Sequence, residues 1–432
     1  MSDYQTILNS IPKDWEVKSI SELGVVVGGG TPTRDISTYW NGNIPWITPG
    51  EVSKINNKFV VNSVDKITEQ GLYASGANLL PEGSLLVTSR ATLGARAICS
   101  KPMATNQGFK SIIFNNKSDA GFYYHFFGLL KPEMARRASG TTFLEISSKE
   151  FSSIPLPYPP DNERTKIAHI LDTVDTEIQQ TELLIEKLQL VKEGLLNDLL
   201  TRGIGVDGQL RPSFKKAPEL YKKTTIGFIP KEWEVAPLLS KISFPVGQVD
   251  PRESPYQDLI LVAPDHIDKK TGRLLSKVTA KAQNAISGKY LFQPGDVIYS
   301  KIRPYLRKAV CVDFHGLCSA DAYPLRPNND VSPTFLLATI LGQQFSTFAE
   351  SVSMRSGFPK INRSEMSEFK AGWPTLAEQE KISCMIVNAN DRILNEEKTL
   401  DSLRGIKSGL THDLLTGRVR VTELLNNKPE VQ

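Results

Sequence analysis

The amino-acid sequence predicts an α/β protein: two mixed α/β domains separated by two long helices that form an antiparallel coiled coil, the whole built as a pseudo-two-fold internal repeat. Three observations predict it. The chain repeats itself, each copy opens with short apolar runs broken by Gly and Pro, and each copy closes with a Pro-free segment carrying a heptad of apolar residues. Ile11-Pro-Lys-Asp-Trp-Glu-Val17 returns as Ile229-Pro-Lys-Glu-Trp-Glu-Val235, with six of seven positions identical. Lys192-Glu-Gly-Leu-Leu-Asn-Asp-Leu-Leu-Thr201 returns as Lys407-Ser-Gly-Leu-Thr-His-Asp-Leu-Leu-Thr416, with seven of ten identical. Between them Gly83 to Cys99 aligns without gaps on Gly295 to Cys311, and Gly140 to Ile146 resembles Gly357 to Ile361 around a shared Phe and Ile. The four matches keep their order, so the chain reads as two copies of a unit of about 215 residues.

The first part of each copy, about 11–158 and 229–373, carries the strand signals. Ser84-Leu-Leu-Val-Thr88, Ser111-Ile-Ile-Phe114 and Asp296-Val-Ile-Tyr299 are apolar runs bounded by turn residues. Helical patterning is sparser there and falls at 119–138 and 332–350. The second part is one long helix. Asp161 to Thr201 contains no Pro and one Gly, and Asp161 or Asn162 suits the N-cap. Ile167, Leu171, Val174, Ile178, Ile185, Leu188, Leu195 and Leu199 alternate in spacings of four and three, with gaps at Thr181 and Lys192. The second copy runs Ile382, Ile386, Ala389, Ile393, Leu400, Leu403, Leu410 and Leu414, with gaps at Glu396 and Lys407. A helix of about 39 residues is roughly 58 Å long and cannot leave such a seam in water, so the two copies are expected to pair. A domain returns the chain between them, which favours an antiparallel pair. A register placing Ile178 opposite Leu410, Ile185 opposite Leu403 and Leu188 opposite Leu400 also places Lys192 opposite Glu396 and Thr181 opposite Lys407. The expected segments are 1–158, 159–204, 205–228, 229–373, 374–420 and 421–432: domain, helix, linker, domain, helix and tail.

Composition narrows the function classes. The chain has 432 residues, 40% hydrophobic and 23% charged, as expected of a globular protein with more than one core. No apolar stretch approaches the roughly 18 residues of a membrane helix, and the start lacks a secretory pattern, so a cytoplasmic protein is expected. Four cysteines (Cys99, Cys311, Cys318, Cys384) form no CxxC pair, which argues against a disulfide framework or a zinc ribbon. The net charge of +4 divides into +2 for 1–160, −4 for 161–205, +7 for 206–372 and −1 for 373–432. Basic and acidic segments alternate, either by chance on solvated surfaces or because the basic parts face a polyanion.

Catalytic motifs are missing. There is no P-loop, because Gln283 stands where the first Gly before Gly288-Lys289 is required. Gly28-Gly29-Gly30 fails as a dinucleotide fingerprint at Thr33 and reads as a turn. There is no HExxH, and the five histidines lack ligand spacing, so no metal site is expected. Tyr158-Pro159-Pro160-Asp161 lacks the acid or amide of an amino-methyltransferase motif and reads as a stiff hinge. Pro264-Asp265-His-Ile-Asp268-Lys-Lys270 imitates a nuclease motif, but the repeat aligns Pro264 with Pro49 and makes it a strand-end turn.

What remains is a binding constellation. Ser89, Arg90 and Arg96, Asn106, Gln107 and Lys110, then Arg136, Arg137, Thr141 and Thr142 cluster on turns of the first copy. Lys301, Arg303, Arg307 and Lys308, then Arg355, Lys360, Asn362 and Arg363 do so in the second. Arg and Lys suit phosphates and guanine edges, and Asn and Gln suit adenine edges. A solvated polar rim is the plainer reading of each residue alone. Two basic domains on one frame suggest a reader of two half-sites of duplex DNA.

The sequence resembles the specificity (S) subunits of type I restriction-modification enzymes across essentially the whole chain. The carriers are the two IPKxWEV openings, Gly29-Gly-Thr-Pro32, Tyr39-Trp40, Ile44-Pro-Trp-Ile-Thr-Pro-Gly-Glu51, Asn106-Gln107, and the helix endings Leu199-Leu-Thr-Arg-Gly203 and Leu414-Leu-Thr-Gly-Arg418. The resemblance implies two target-recognition domains, each reading half of a bipartite, interrupted DNA sequence. It implies that the helices set the gap and dock two modification (M) subunits, which methylate adenine with S-adenosylmethionine. Restriction (R) subunits then add ATP-driven translocation and cleavage, so S-adenosylmethionine, ATP and Mg belong to the partners. On this reading the chain is a non-catalytic recognition subunit with no bound cofactor. The second copy lacks the Gly-Gly-Thr-Pro and Tyr-Trp segments, as expected if the domains read different half-sites. A non-DNA scaffold with an antiparallel coiled-coil arm is the alternative.

Overall fold

The computed structural model describes residues 3–426 apart from 56, 91, 141–143 and 354–358. The chain divides into two compact units, Met1–Glu182 with Thr399–Gln432 and Leu183–Lys398. Each unit therefore joins one α/β domain to half of each long helix, a division that cuts across the segments drawn from sequence.

In the first unit a five-stranded sheet runs in the order Gly24–Gly28, Lys110–Phe114, Leu85–Val87, Arg96–Cys99 and Phe59–Val60. Its last pairing is parallel and the others are antiparallel. A three-stranded sheet sets Trp40–Ile47 between Asp65–Ile67 and, in parallel, Ala104–Thr105. Glu16–Ser19 pairs with Pro155–Tyr158, so the end of the Ile-Pro-Lys-x-Trp-Glu-Val motif closes the domain at the root of the long helix. Leu85, Val87, Ile98, Ile112, Phe122, Phe126 and Phe151 fill the core together with Ile167 and Leu171 of the helix. The alternating apolar residues of the strands supply this core, because one face of each sheet must leave water.

The second unit repeats the plan. Glu234–Pro237 pairs with Lys370–Trp373, and Ile260–Val262 runs parallel to Gly316–Cys318. Val297–Ser300 forms a hairpin with Ala309–Cys311, as Leu85–Val87 does with Arg96–Cys99. The gapless alignment of these hairpins needs one correction. Gly83 donates to the carbonyl of Cys99, whereas Gly295 donates to that of Val312. The second hairpin turn is thus one residue longer, and Cys99 corresponds to Val312. The helical segments also differ from expectation, because each breaks into two: Asp119–Phe126 and Lys131–Arg137, then Pro333–Leu341 and Gln343–Ser353. The breaks fall at the Gly128-Leu-Leu-Lys-Pro132 stretch and at Gly342, where glycine and proline weaken the helix.

The long helices span Asp161–Thr201 and Leu376–Leu415. None of the sixteen seam residues named above is exposed, whereas Leu183 and Leu190 off the seam are 65% and 70% exposed. In the first unit contacts step from Glu163 with Arg420 to Glu182 with Arg404, so the two halves run antiparallel. In the second unit Leu199 packs in one core with Ile382 and Ile386 while Leu196 and Ile393 share a cavity, again antiparallel. The polar pairings proposed for the seam do not form. Lys407 bonds Asp175, and the Thr181 hydroxyl donates to the carbonyl of Glu177 in its own helix. A carboxylate outcompetes a hydroxyl already satisfied four residues back. Lys192 shares a cavity with Glu397 rather than pairing with Glu396.

The helix ends are built alike. Gly203 and Gly417 follow the two helices at φ +61° and +71°, where a Cβ would strike the Trp233 indole in the first case and the Pro12 ring beside Trp15 in the second. Glycine is required there both for the left-handed turn and for the close approach.

Candidate nucleic-acid interface

In the first unit the site forms where three segments meet at one end of the sheets. Gly30 donates to the carbonyl of Thr105 at 2.9 Å, and Thr31 Oγ1 donates to Gln107 Oε1 at 2.6 Å. Trp46 Nε1 closes the corner by donating to the carbonyl of Gly30 at 2.8 Å. A Cβ at Gly29 would lie 1.9 Å from the Asn106 carbonyl oxygen, which explains the glycines of the Gly-Gly-Thr-Pro turn. Asn106 Oδ1 accepts from Gly108 N at 2.8 Å, so this amide shapes the turn and leaves Gln107 as the exposed one.

The hairpin turn lies beside this corner. Ser89 donates its N–H to the Gly108 carbonyl and accepts from Ile146 N at 3.1 Å. Its buried hydroxyl has no hydrogen-bond partner among the described residues. Glu145 pairs across with Arg90, and its carboxylate lies 4.0 Å from Arg90 Nη1 and 3.6 Å from Lys110 Nζ. Both cations are thus near a neutralising acid. Thr141 and Thr142 lie outside the described residues. Arg136 and Arg137 both hydrogen-bond the buried Glu133, which their hydrogen bonds hold below the usual carboxylate range.

The second unit builds the same turn with different charges. Ile361 N donates to the Lys301 carbonyl at 3.0 Å, the counterpart of Ile146 on Ser89. Lys360 pairs with Ile302 where Glu145 pairs with Arg90, so a base replaces an acid. Lys301 Nζ sits 5.2 Å from the centroid of Tyr323, and Arg363 lies over Phe244 at 4.2 Å and Tyr323 at 5.5 Å. Partial burial, then the charges of Lys360 and Arg363, hold the Lys301 ammonium below the usual lysine range, against the pull of Asp321. Arg303 is exposed on the same turn at φ +50°. Cations stacked on aromatic rings beside an open turn suit phosphates and base faces.

Four expected contact residues are turned elsewhere. The Arg96 guanidinium donates to the carbonyl of Tyr124 and stacks on its ring at 5.0 Å, so it anchors a helix. Arg307 donates to the carbonyl of Leu341 at the foot of its domain, and Lys308 Nζ to that of Pro264 at 2.6 Å. Asn362 is a helix N-cap whose side chain accepts from Glu365 N at 2.9 Å, the role its short acceptor suits. Arg355 lies outside the described residues. Sequence reasoning missed Arg34, whose guanidinium bonds Asp65 at 2.9 Å and stacks on Trp40 at 4.0 Å beside the Gly-Gly-Thr-Pro turn. Its place just after that turn was the available signal. Nothing local marked Phe244 and Tyr323, which meet Arg363 only through the fold. Among the described residues no cluster of His, Cys, Asp or Glu is arranged to hold a metal ion, and no helix is long and apolar enough to cross a membrane.

Comparison with known proteins gives concordant matches. Residues 12–190 match the family described as the type I restriction modification DNA specificity domain. The chain is 26% identical over 440 residues to the type I restriction enzyme MjaIX specificity subunit of Methanocaldococcus jannaschii, covering 97% of both chains. It is 26% identical over 395 residues to the EcoDI specificity subunit of Escherichia coli, covering 86% of this chain and 80% of that one. Among solved structures, a chain from a study of type I R-M complex assembly and conformational transition superposes with a TM-score of 0.58 at 15% identity, covering 95% of this chain and 99% of that one. The type I S subunit of M. genitalium gives 0.56 at 14% identity, covering 94% and 96%.

Proposed function

We propose that the chain is a type I restriction-modification specificity subunit and that its two domains each read one half of a bipartite, interrupted DNA sequence. The observation that carries this reading is the duplicated turn with unlike chemistry: Arg90, Lys110 and Glu145 in one unit, Lys301, Lys360 and Arg363 in the other. Similar frames with different charges are what two readers of different half-sites require. Basic side chains on the turns neutralise phosphates, which makes binding steeply salt-dependent. A few side chains in each domain read base edges, each good bidentate contact giving about 1–3 kcal/mol of discrimination.

The paired helices hold the two readers at a fixed separation and so set the gap. They also dock two modification subunits, and restriction subunits join through the complex. Methyl transfer and cleavage belong to those partners, with S-adenosylmethionine, ATP and Mg, while this chain binds no cofactor and works in the cytoplasm. The target adenine leaves the stack for the partner's pocket, so the deformability of the site contributes to selection. The test is methylome sequencing of a host carrying this gene with its neighbouring subunit genes. A single split motif with a constant gap is expected. A variant with the second domain exchanged should keep one half of the motif and change the other; a motif unchanged by the exchange would refute the reading.

A further inference from the structure

The internal repeat gives the second unit a built-in control. In the first unit the polar residues beside the seam satisfy each other: Lys407 bonds Asp175, and Arg404 bonds Glu182 at 2.8 Å. The offset of 215 residues carries Lys407 onto Lys192, Asp175 onto Asn390, Arg404 onto Gln189 and Glu182 onto Glu397. Lys192 thus has an amide where its counterpart has a carboxylate. Among the described residues its ammonium makes no hydrogen bond or ion pair, and Glu193 and Glu397 act on it only at longer range. Glu397 has lost its arginine to Gln189 and instead bonds Arg273, which the α/β domain supplies. Arg307, at φ +49°, delivers its guanidinium to the same place and gives two donors to the Leu341 carbonyl.

These residues line a cavity of about 220 Å³ within the second unit, closed on its apolar side by Leu196, Leu341 and Ile393. Lys192, Lys269, Lys270, Arg273 and Arg307 are its cations, and Glu193 and Glu397 its carboxylates. Five positive charges against two negative ones, with one lysine unpartnered, give a partly open cavity, rimmed by the exposed Lys269 and Lys270, a net positive charge that an anion would balance. Burial, together with Arg273 and Arg307, already holds the Lys192 ammonium below the usual lysine range.

We propose that this cavity binds a small phosphorylated ligand through its phosphate group. Arginine and lysine donors lining one cavity suit a tetrahedral oxyanion with several acceptor oxygens. The volume is below the ~300 Å³ of pockets that take drug-sized ligands, so the phosphate fits with only a small organic group attached. The bound anion bridges the helix pair to the 269–273 loop and the 300–308 turn, and so stiffens the joint between spacer and domain.

The test uses the full chain, titrated calorimetrically with inorganic phosphate and with glycerol phosphate against chloride at constant ionic strength. One saturable site is expected in the wild type. Lys192→Met and Asn390→Asp should each weaken it about tenfold or more, the second by supplying the carboxylate that Lys407 already has. Asn390→Asp keeps every cation in place, so it decides the matter even if Lys192→Met folds poorly. Lys360→Ala, on the candidate DNA face, should leave phosphate affinity unchanged. Absence of saturable binding, equal affinity in wild type and Asn390→Asp, or loss of binding in Lys360→Ala overturns the proposal.

Discussion

The indole of Trp15 donates to the carboxylate of Glu163 at 3.1 Å, joining the opening motif of the chain to the first turn of the long helix. Arg420, which follows the other long helix, grips the same carboxylate through Nε at 2.7 Å and also bonds Asp14. The second unit repeats the arrangement with an arginine from a different repeat position: Trp233 Nε1 donates to Glu378 at 3.1 Å, and Arg211 forks onto Glu378. In both units the arginine comes from beyond the end of one helix and the carboxylate from the start of the other. The repeated Trp-Glu-Val motif is therefore part of a clasp that holds an antiparallel helix pair to its domain.

Removing the buried carboxylate leaves Arg420 and the Trp15 indole without their acceptor. Glu163→Ala should lower the unfolding free energy of the full chain by about 2–4 kcal/mol, and Glu163→Gln by less, because the amide still accepts one hydrogen bond. Urea unfolding measures both, and a loss under about 0.5 kcal/mol would show that the clasp is ornamental.

Acid should loosen the first unit through His125. Its Nε2 lies 2.8 Å from Asp172, which also bonds Lys58 at 2.7 Å, and Asp175 faces its Nδ1 at 3.9 Å. Burial, helped by Lys58, nonetheless holds the imidazole below its ordinary value of 6.5, against the pull of Asp172 and Asp175. A histidine whose folded pKa is depressed binds its proton more readily when unfolded. Stability is therefore full above about pH 6.5 and falls as the pH drops toward the folded value. Burial alone would raise Asp172, but its bonds to His125 and Lys58 keep it low, so its own contribution is lost only at still lower pH. Thermal melts from pH 7.5 to 5 should show the decline in wild type and a flatter profile in His125→Gln.

The second recognition turn should answer to charge. Lys360→Ala is expected to weaken DNA binding and to reduce the slope of log affinity against log salt by about one. Arg363→Ala should weaken it too, through loss of the cation held over Phe244 and Tyr323. Arg96→Ala should instead lower stability while leaving sequence selection intact, since its guanidinium is committed to Tyr124. Altered selection in Arg96→Ala would return that residue to the DNA face.

Spacer length should set the gap. Inserting four residues near Lys192 and near Lys407 adds about 6 Å of rise to each helix. The methylated motif should keep both halves and change only the number of bases between them. An unchanged gap would remove the helices from that role.

The sequence by itself determined the duplication, the two long helices and which of their faces is buried. Periodicity sufficed for this, because a heptad seam is a local pattern that depends on no distant partner beyond the presence of one. It also marked the turns that carry Arg90, Gln107, Lys301 and Lys360. What each charge does was decided by the tertiary structure alone. Lys192 and Lys407 occupy the same place in the repeat, yet one is paired and the other is not; the repeat position that carries Asp175 in one copy carries Asn390 in the other. Arg96 and Arg307 look like Arg90 and Arg363 in the sequence, but their guanidiniums meet backbone carbonyls of a helix end. A charged side chain several ångströms long is settled by whichever acceptor the fold brings within reach, and residues far apart in the chain supply that acceptor.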